Sequence, residues 1–143
     1  MVALTSAQEH YMMAISALSS GGGGARICDV AEKIGVTKPS VCAAVKVLEQ
    51  MKLVRRDENR LIILTPKGET QAHFIMSKLD IVRRYLIKDL GIGEDAAEVD
   101  ASAIEHLLSN ETLCSMCRQT GKDICTDDCY LKIEKEIKNA SKK

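Results

Sequence analysis

Cys114, Cys117, Cys125 and Cys129 crowd into 16 residues with the spacing C-x2-C-x7-C-x3-C. A CxxC pair clamps one metal ion through two thiolates, and a second close pair completes a tetrahedral set. Zinc held this way would staple a short, charged tail that has little core of its own. The same four thiolates suit an iron–sulfur cluster, which would make the segment a sensor of iron, oxygen or redox state. Reduced thiols, or a reversible Cys114–Cys117 disulfide, are the third reading. Gly121 supplies a turn in the intervening loop, and Arg118 and Lys122 offset the negative charge of bound thiolates. The other two cysteines, Cys28 and Cys42, stand alone and read as small neutral fillers, although Cys42 falls on a face that can meet DNA.

A second kind of chemistry sits in the first half. Val30-Ala31 and Ile34-Gly35-Val36-Thr37 are spaced as two helices joined by a tight turn: Ala31 lets them cross closely, Gly35 permits a left-handed turn, and Val36 and Val41 pin them to one core. The second helix then offers Thr37, Lys38, Pro39, Ser40, Cys42, Ala43 and Lys46 to a major groove. Thr37, Ser40 and the amides at the helix start suit phosphate oxygens, while Pro39 and Ala43 suit thymine methyls. Arg26 joins this DNA-facing set, and Arg55, Arg56 and Arg60 on a following hairpin would meet the flanking backbone or minor groove.

The elements that must position these residues follow from apolar spacing. A first helix runs from Thr5 or Ser6 to about Ser19, with Ala7, Tyr11, Ala14, Ile15 and Leu18 on its inner side, and Gly21–Gly24 forms a loop. The two reading helices cover about Ile27–Ile34 and Thr37–Met51. Apolar runs at 53–56 and 60–64 around Asp57-Glu58-Asn59 read as a β-hairpin. Thr65 caps a long helix, with Pro66 at its first position, that extends to about Leu90. Further helices are expected at about Glu94–Leu108, briefly after Asn110, and at roughly Asp128–Asn139. The domain reading is 1–68 for a winged helix-turn-helix, 69–112 for helical dimerisation and metal sensing, and 113–143 for the cysteine module. The fold class is mostly α.

Composition sets the outer limits. The chain has 143 residues, 45% hydrophobic and 28% charged, with no Trp and one Phe, so the core is aliphatic. Net charge is zero, yet residues 1–92 carry 13 Lys/Arg against 9 Asp/Glu, and residues 93–143 carry 7 against 11. A basic first half and an acidic second half divide the labour. No apolar run reaches the ~20 residues of a membrane span, and no leader pattern opens the chain, so a cytoplasmic protein is expected. No nucleophile–base arrangement or dinucleotide fingerprint is present, and Gly21–Gly24 lacks the Lys-Ser/Thr of a phosphate loop, so an enzyme is not expected. A rival reading is a metal- or iron–sulfur-binding interaction protein whose winged helix contacts protein.

Leu4-Thr5-Ser6-Ala7-Gln8-Glu9-His10-Tyr11, the run from Val30 to Val41, Leu64-Thr65-Pro66-Lys67-Gly68 and Ala103-Ile104-Glu105-His106-Leu107-Leu108-Ser109 together resemble the diphtheria toxin repressor family of metal-dependent regulators, in its short form without an SH3-like domain. The resemblance covers about residues 3–112. It implies a homodimeric cytoplasmic repressor binding a double-stranded DNA operator, with the dimer interface in the helices after the wing. It also implies a site for Fe(II) or Mn(II) drawn from His10, Glu105 and His106, for which Glu98, Ser102, Glu105 and His106 would share one helical face. At the other ligand positions this sequence has Ser102, Leu79, Arg83 and Met13. His73 matches no ligand position and reads as a surface residue.

Overall fold

The computed structural model describes residues 2–121; Cys125, Cys129, Lys122 and the expected helix Asp128–Asn139 lie outside the described residues. The chain divides into two units, Val2–Ile75 and Met76–Lys143. The described elements are mostly helical, as the sequence implies.

In the first unit, α1 (Ser6–Ser19) starts at a reciprocal cap: the Thr5 hydroxyl accepts from the Gln8 amide at 3.3 Å, and the Gln8 side chain accepts from the Thr5 amide at 2.9 Å. Its inward face holds Met12, Ala14, Ile15 and Glu9, whereas Ala7 is exposed and Tyr11 and Leu18 are half-buried. Helix α2 (Ile27–Ile34) ends on Gly35, whose left-handed backbone (φ 76°, ψ 37°) lets the Gly35 and Val36 amides both donate to the Ala31 carbonyl. Two residues later Thr37 caps α3 (Lys38–Gln50), with Pro39 in its first turn. Val30, Val41, Val45 and Leu48 are fully buried between the helices.

Strands β1 (Val54–Arg56) and β2 (Ile62–Leu64) pair antiparallel, Val54 opposite Leu64 and Arg56 opposite Ile62. The turn between them is longer than the hairpin expected from sequence. The Asp57 carboxylate accepts from the amides of Asn59 (2.9 Å) and Leu61 (2.8 Å), which extends the turn past Arg60 and Leu61 before pairing resumes. Ala25 adds a bridge to Ile62, exchanging both backbone hydrogen bonds with it. This close pairing requires Gly24, where a Cβ would stand 2.7 Å from that of Leu61.

Helix α4 (Pro66–Lys88) starts where the Thr65 hydroxyl accepts from the Gly68 amide and donates to the Lys52 carbonyl at 2.7 Å. A Cβ at Gly68 would collide with the Leu53 carbonyl, so the helix start is seated directly on the chain leaving α3. Buried Gln71 completes this unit by exchanging two hydrogen bonds with the backbone of Val2. The second unit holds the rest of α4, then α5 (Glu94–Ile104), a tight 3-10 turn at Glu105–Leu107, and α6 (Asn110–Thr120), capped by Ser109. The sequence reading makes 94–108 one helix; the change of winding at Glu105 shortens it.

Candidate nucleic-acid interface and metal centre

Helix α3 buries one face and leaves the other to solvent. Thr37, Lys38, Pro39, Ser40, Ala43 and Lys46 are exposed, and Cys42 is half-buried. The hydroxyls of Thr37 and Ser40 share a hydrogen bond at 2.8 Å, and the Ser40 amide donates to Thr37. That amide is therefore engaged in the cap and Pro39 has none, so an anion at this end would meet chiefly the side chains of Lys38, Thr37, Ser40 and Lys46. Arg26 is exposed at the start of α2, and its side chain makes no capping bond.

The three wing arginines are not equivalent. Arg55 is exposed on β1, and exposed Arg60 occupies the turn with a left-handed backbone (φ 60°). Arg56 is half-buried, its Nε 3.3 Å from Glu49 of α3. It ties the hairpin to the reading helix, so the outward cationic surface of the wing is carried by Arg55 and Arg60. Cys28 is exposed and its thiol donates to Asp29 at 3.6 Å.

For the metal residues, the second unit brings Glu105 and His106 together, with ligand atoms within 4.8 Å of one another. Glu98 does not join them: it is exposed and lies 3.8 Å from Arg83. The single helical face expected for Glu98, Ser102, Glu105 and His106 fails because the helix tightens to 3-10 winding at Glu105. In the first unit, His10 stands exposed on α1, lining a groove with Met13, Ala17, Lys33 and Ile34. The carboxylate that α1 buries is the neighbouring Glu9, which spacing of apolar residues alone did not single out.

Glu105 is 3% exposed and carries a partner that sequence reasoning missed: the Lys78 ammonium of α4, itself 10% exposed, lies 2.9 Å from its Oε2. Two positions flagged by the resemblance lie beside this pair in the chain. Leu79 has no ligating atom, and Arg83 is held by Asp80 at 3.2 Å as well as by Glu98. His106 buries an Nδ1 that has no hydrogen-bond partner among the described residues. In the second unit the Glu105 carboxylate is thus paired with an ammonium, and His106 brings one imidazole beside it.

Helix α6 carries the first cysteine pair. Cys114 is half-buried and Cys117 is buried, one turn apart on the same helix. The Arg118 guanidinium on the same helix donates to the Ser115 hydroxyl at 3.1 Å.

Residues 65–126 match the family described as the iron dependent repressor, metal binding and dimerisation domain. Over 105 residues the chain is 35% identical to the transcriptional regulator MntR of Escherichia coli O6:H1, covering 73% of this chain and 67% of that one. The chain belongs to this repressor family. The MntR of Salmonella typhimurium is 34% identical over the same share of this chain, which spans 66% of that relative's length. The HTH-type regulator MntR of Bacillus pumilus is 30% identical over 73% of this chain and 72% of its own. Among solved structures, T. acidophilum IdeR superposes with a TM-score of 0.73 at 24% identity, over 87% of this chain and 58% of that one. The manganese regulator SloR gives 0.70 at 27% identity, over 78% and 52%. Lys78, Leu79 and Arg83 all fall within the matched residues 65–126.

Proposed function

We propose that this chain is a homodimeric, sequence-specific DNA-binding transcriptional regulator acting as a repressor. The observation that carries the reading is the pairing of an outward α3 face (Thr37, Lys38, Pro39, Ser40, Ala43, Lys46) with an outward cationic wing (Arg55, Arg60) in a member of this family. Helix α3 enters the major groove with its N-terminal side chains at base edges, and Lys38 and Lys46 flank it toward phosphates. Arg55 and Arg60 reach the adjoining backbone, and Arg56 holds the wing at its angle through Glu49. The second unit supplies the dimer contact. Its exposed Leu90, Val99 and Leu107 are apolar surface that a two-fold partner would cover.

The response is to metal or redox state, read through Cys114, Cys117, Cys125 and Cys129. Support comes from the chemistry of the donor set and from α6, which presents the first two thiols one turn apart. Zinc would supply a structural cross-link there, and an iron–sulfur cluster a redox-sensitive one. A cytoplasmic placement follows from this role on a DNA operator; among the described residues no helix is long and apolar enough to cross a membrane.

Titrating a labelled duplex pool at low salt tests the reading by fluorescence anisotropy. Binding that weakens as salt rises, with a shallower slope for the Arg55→Ala/Arg60→Ala variant, is expected. No duplex affinity at any salt would leave the interaction-protein reading in its place.

A further inference from the structure

We infer that Asp57 is the positioning residue of the wing: its carboxylate holds Arg60 in the backbone conformation that presents the guanidinium to DNA. This role rests on the DNA-binding reading and deepens it. Asp57 Oδ1 accepts from the amides of Asn59 at 2.9 Å and Leu61 at 2.8 Å, the two residues that flank Arg60. Two backbone bonds close the same turn, from the Arg60 amide to the Asp57 carbonyl and from the Asp57 amide to the Leu61 carbonyl, each 3.0 Å. Arg60 is thereby fixed on both sides while its side chain stays exposed. The Arg56 guanidinium lies on Glu49, but among the described residues no ion pair engages that of Arg60.

A hairpin loop of this length carries its left-handed residue just before the returning strand, where glycine is usual because it has no Cβ. Here that place holds an arginine with φ 60°, a conformation that a side chain disfavours and that the surroundings must impose. Asp57 imposes it, and the return is a cation at the wing tip with a fixed direction. The charge of Asp57 gives this role a distinctive sign. A carboxylate beside a polyanion repels it, so on charge alone the loss of Asp57 would tighten duplex binding. Acting through Arg60, its loss weakens binding instead, because the left-handed state becomes a minor population and affinity falls with that fraction. Both amides donate to one oxygen, so asparagine at this position keeps the acceptor and drops the charge.

The test is a titration of the labelled duplex pool with full-length wild type, Asp57→Ala, Asp57→Asn, Arg60→Ala and the Asp57→Ala/Arg60→Ala double variant at one low salt concentration. Asp57→Ala is expected to weaken binding at least about fivefold, with the loss from Arg60→Ala as the ceiling. Asp57→Asn should bind at least as tightly as the wild type. With Arg60 already alanine, Asp57→Ala should weaken binding by less than about twofold, because no side chain remains to be positioned. Tighter binding by Asp57→Ala would overturn the inference, as would an equal loss in both backgrounds or an Asp57→Asn variant as weak as Asp57→Ala. Hydrogen exchange at the Asn59 and Leu61 amides reads the same role without DNA. It should accelerate at least about tenfold in Asp57→Ala and stay slow in Asp57→Asn; unchanged exchange in Asp57→Ala would also overturn the inference. A wild type with no duplex affinity defeats the DNA-binding reading itself, while exchange still decides whether Asp57 sets the turn, so the two failures are distinct.

Discussion

Replacing Lys78 by methionine keeps most of the apolar stem and removes only the charge, which isolates the worth of the pair. At the observed separation of 2.9 Å and an effective dielectric of about 20, the gross attraction is about 6 kcal/mol. Desolvation of both groups offsets part of this in the native protein, but it no longer does so once one partner is gone. The Glu105 carboxylate, 3% exposed, then loses its ammonium, and the expected loss is about 3–5 kcal/mol. Lys78→Met/Glu105→Met removes both charges and should recover to within about 1 kcal/mol of the wild type, because a buried pair replaced by apolar groups of similar volume is often neutral. Urea unfolding reads the global effect, and hydrogen exchange at the α5 amides places it in the second unit. A Lys78→Met loss below about 1 kcal/mol, the range of exposed ion pairs, would refute the reasoning. So would a double variant as unstable as the single one, since the damage would then not come from a buried charge that has lost its ammonium.

Other expectations concern the first unit and the assembly. Gly68→Ala drives a methyl into the Leu53 carbonyl and should cost about 1–3 kcal/mol, measured by urea midpoint, whereas Gly21→Ala, in open space, should cost under about 0.5 kcal/mol. Thr65→Ala removes the acceptor of the Gly68 amide and should cost about 1–2 kcal/mol by the same measurement. In DNA titrations, Arg55→Ala and Arg60→Ala should each flatten the salt slope by about 0.9 for every phosphate left without its cation; Arg56→Ala should change it less, because that guanidinium is held by Glu49. Val99→Glu/Leu107→Glu should weaken the dimer at least about a hundredfold in sedimentation, since each substituted side chain occurs twice in a two-fold interface. Unchanged self-association would move the dimer interface elsewhere.

The helix-turn-helix was legible in sequence because its determinants are local. Gly35 has one structural use at the end of a helix, and Thr37 followed by Pro39 specifies a cap and a first turn, so α2 and α3 fall where spacing puts them. The wing was legible as a hairpin, but its strand ends were not, because a single carboxylate, Asp57, sets the turn length through two backbone amides. The Ala25–Ile62 bridge was hidden behind a glycine run that reads as a plain loop. Long-range charge pairing was the largest gap. Apolar periodicity places Lys78 on a helix but says nothing of a partner beyond α5, and the shift to 3-10 winding at Glu105 leaves no pattern in the residues themselves. On α1 the expected apolar stripe concealed Glu9, a charged residue buried where Tyr11 and Leu18 were anticipated.

In the proposed function this chain reads DNA sequence as a dimer. Selecting from a random duplex pool with the full-length protein tests it directly. Enrichment of a near-palindromic motif is expected, with half-sites about one helical turn apart, or a multiple, and abolished by Lys38→Glu/Lys46→Glu. A pool that stays random, or one enriched equally by that variant, would contradict it.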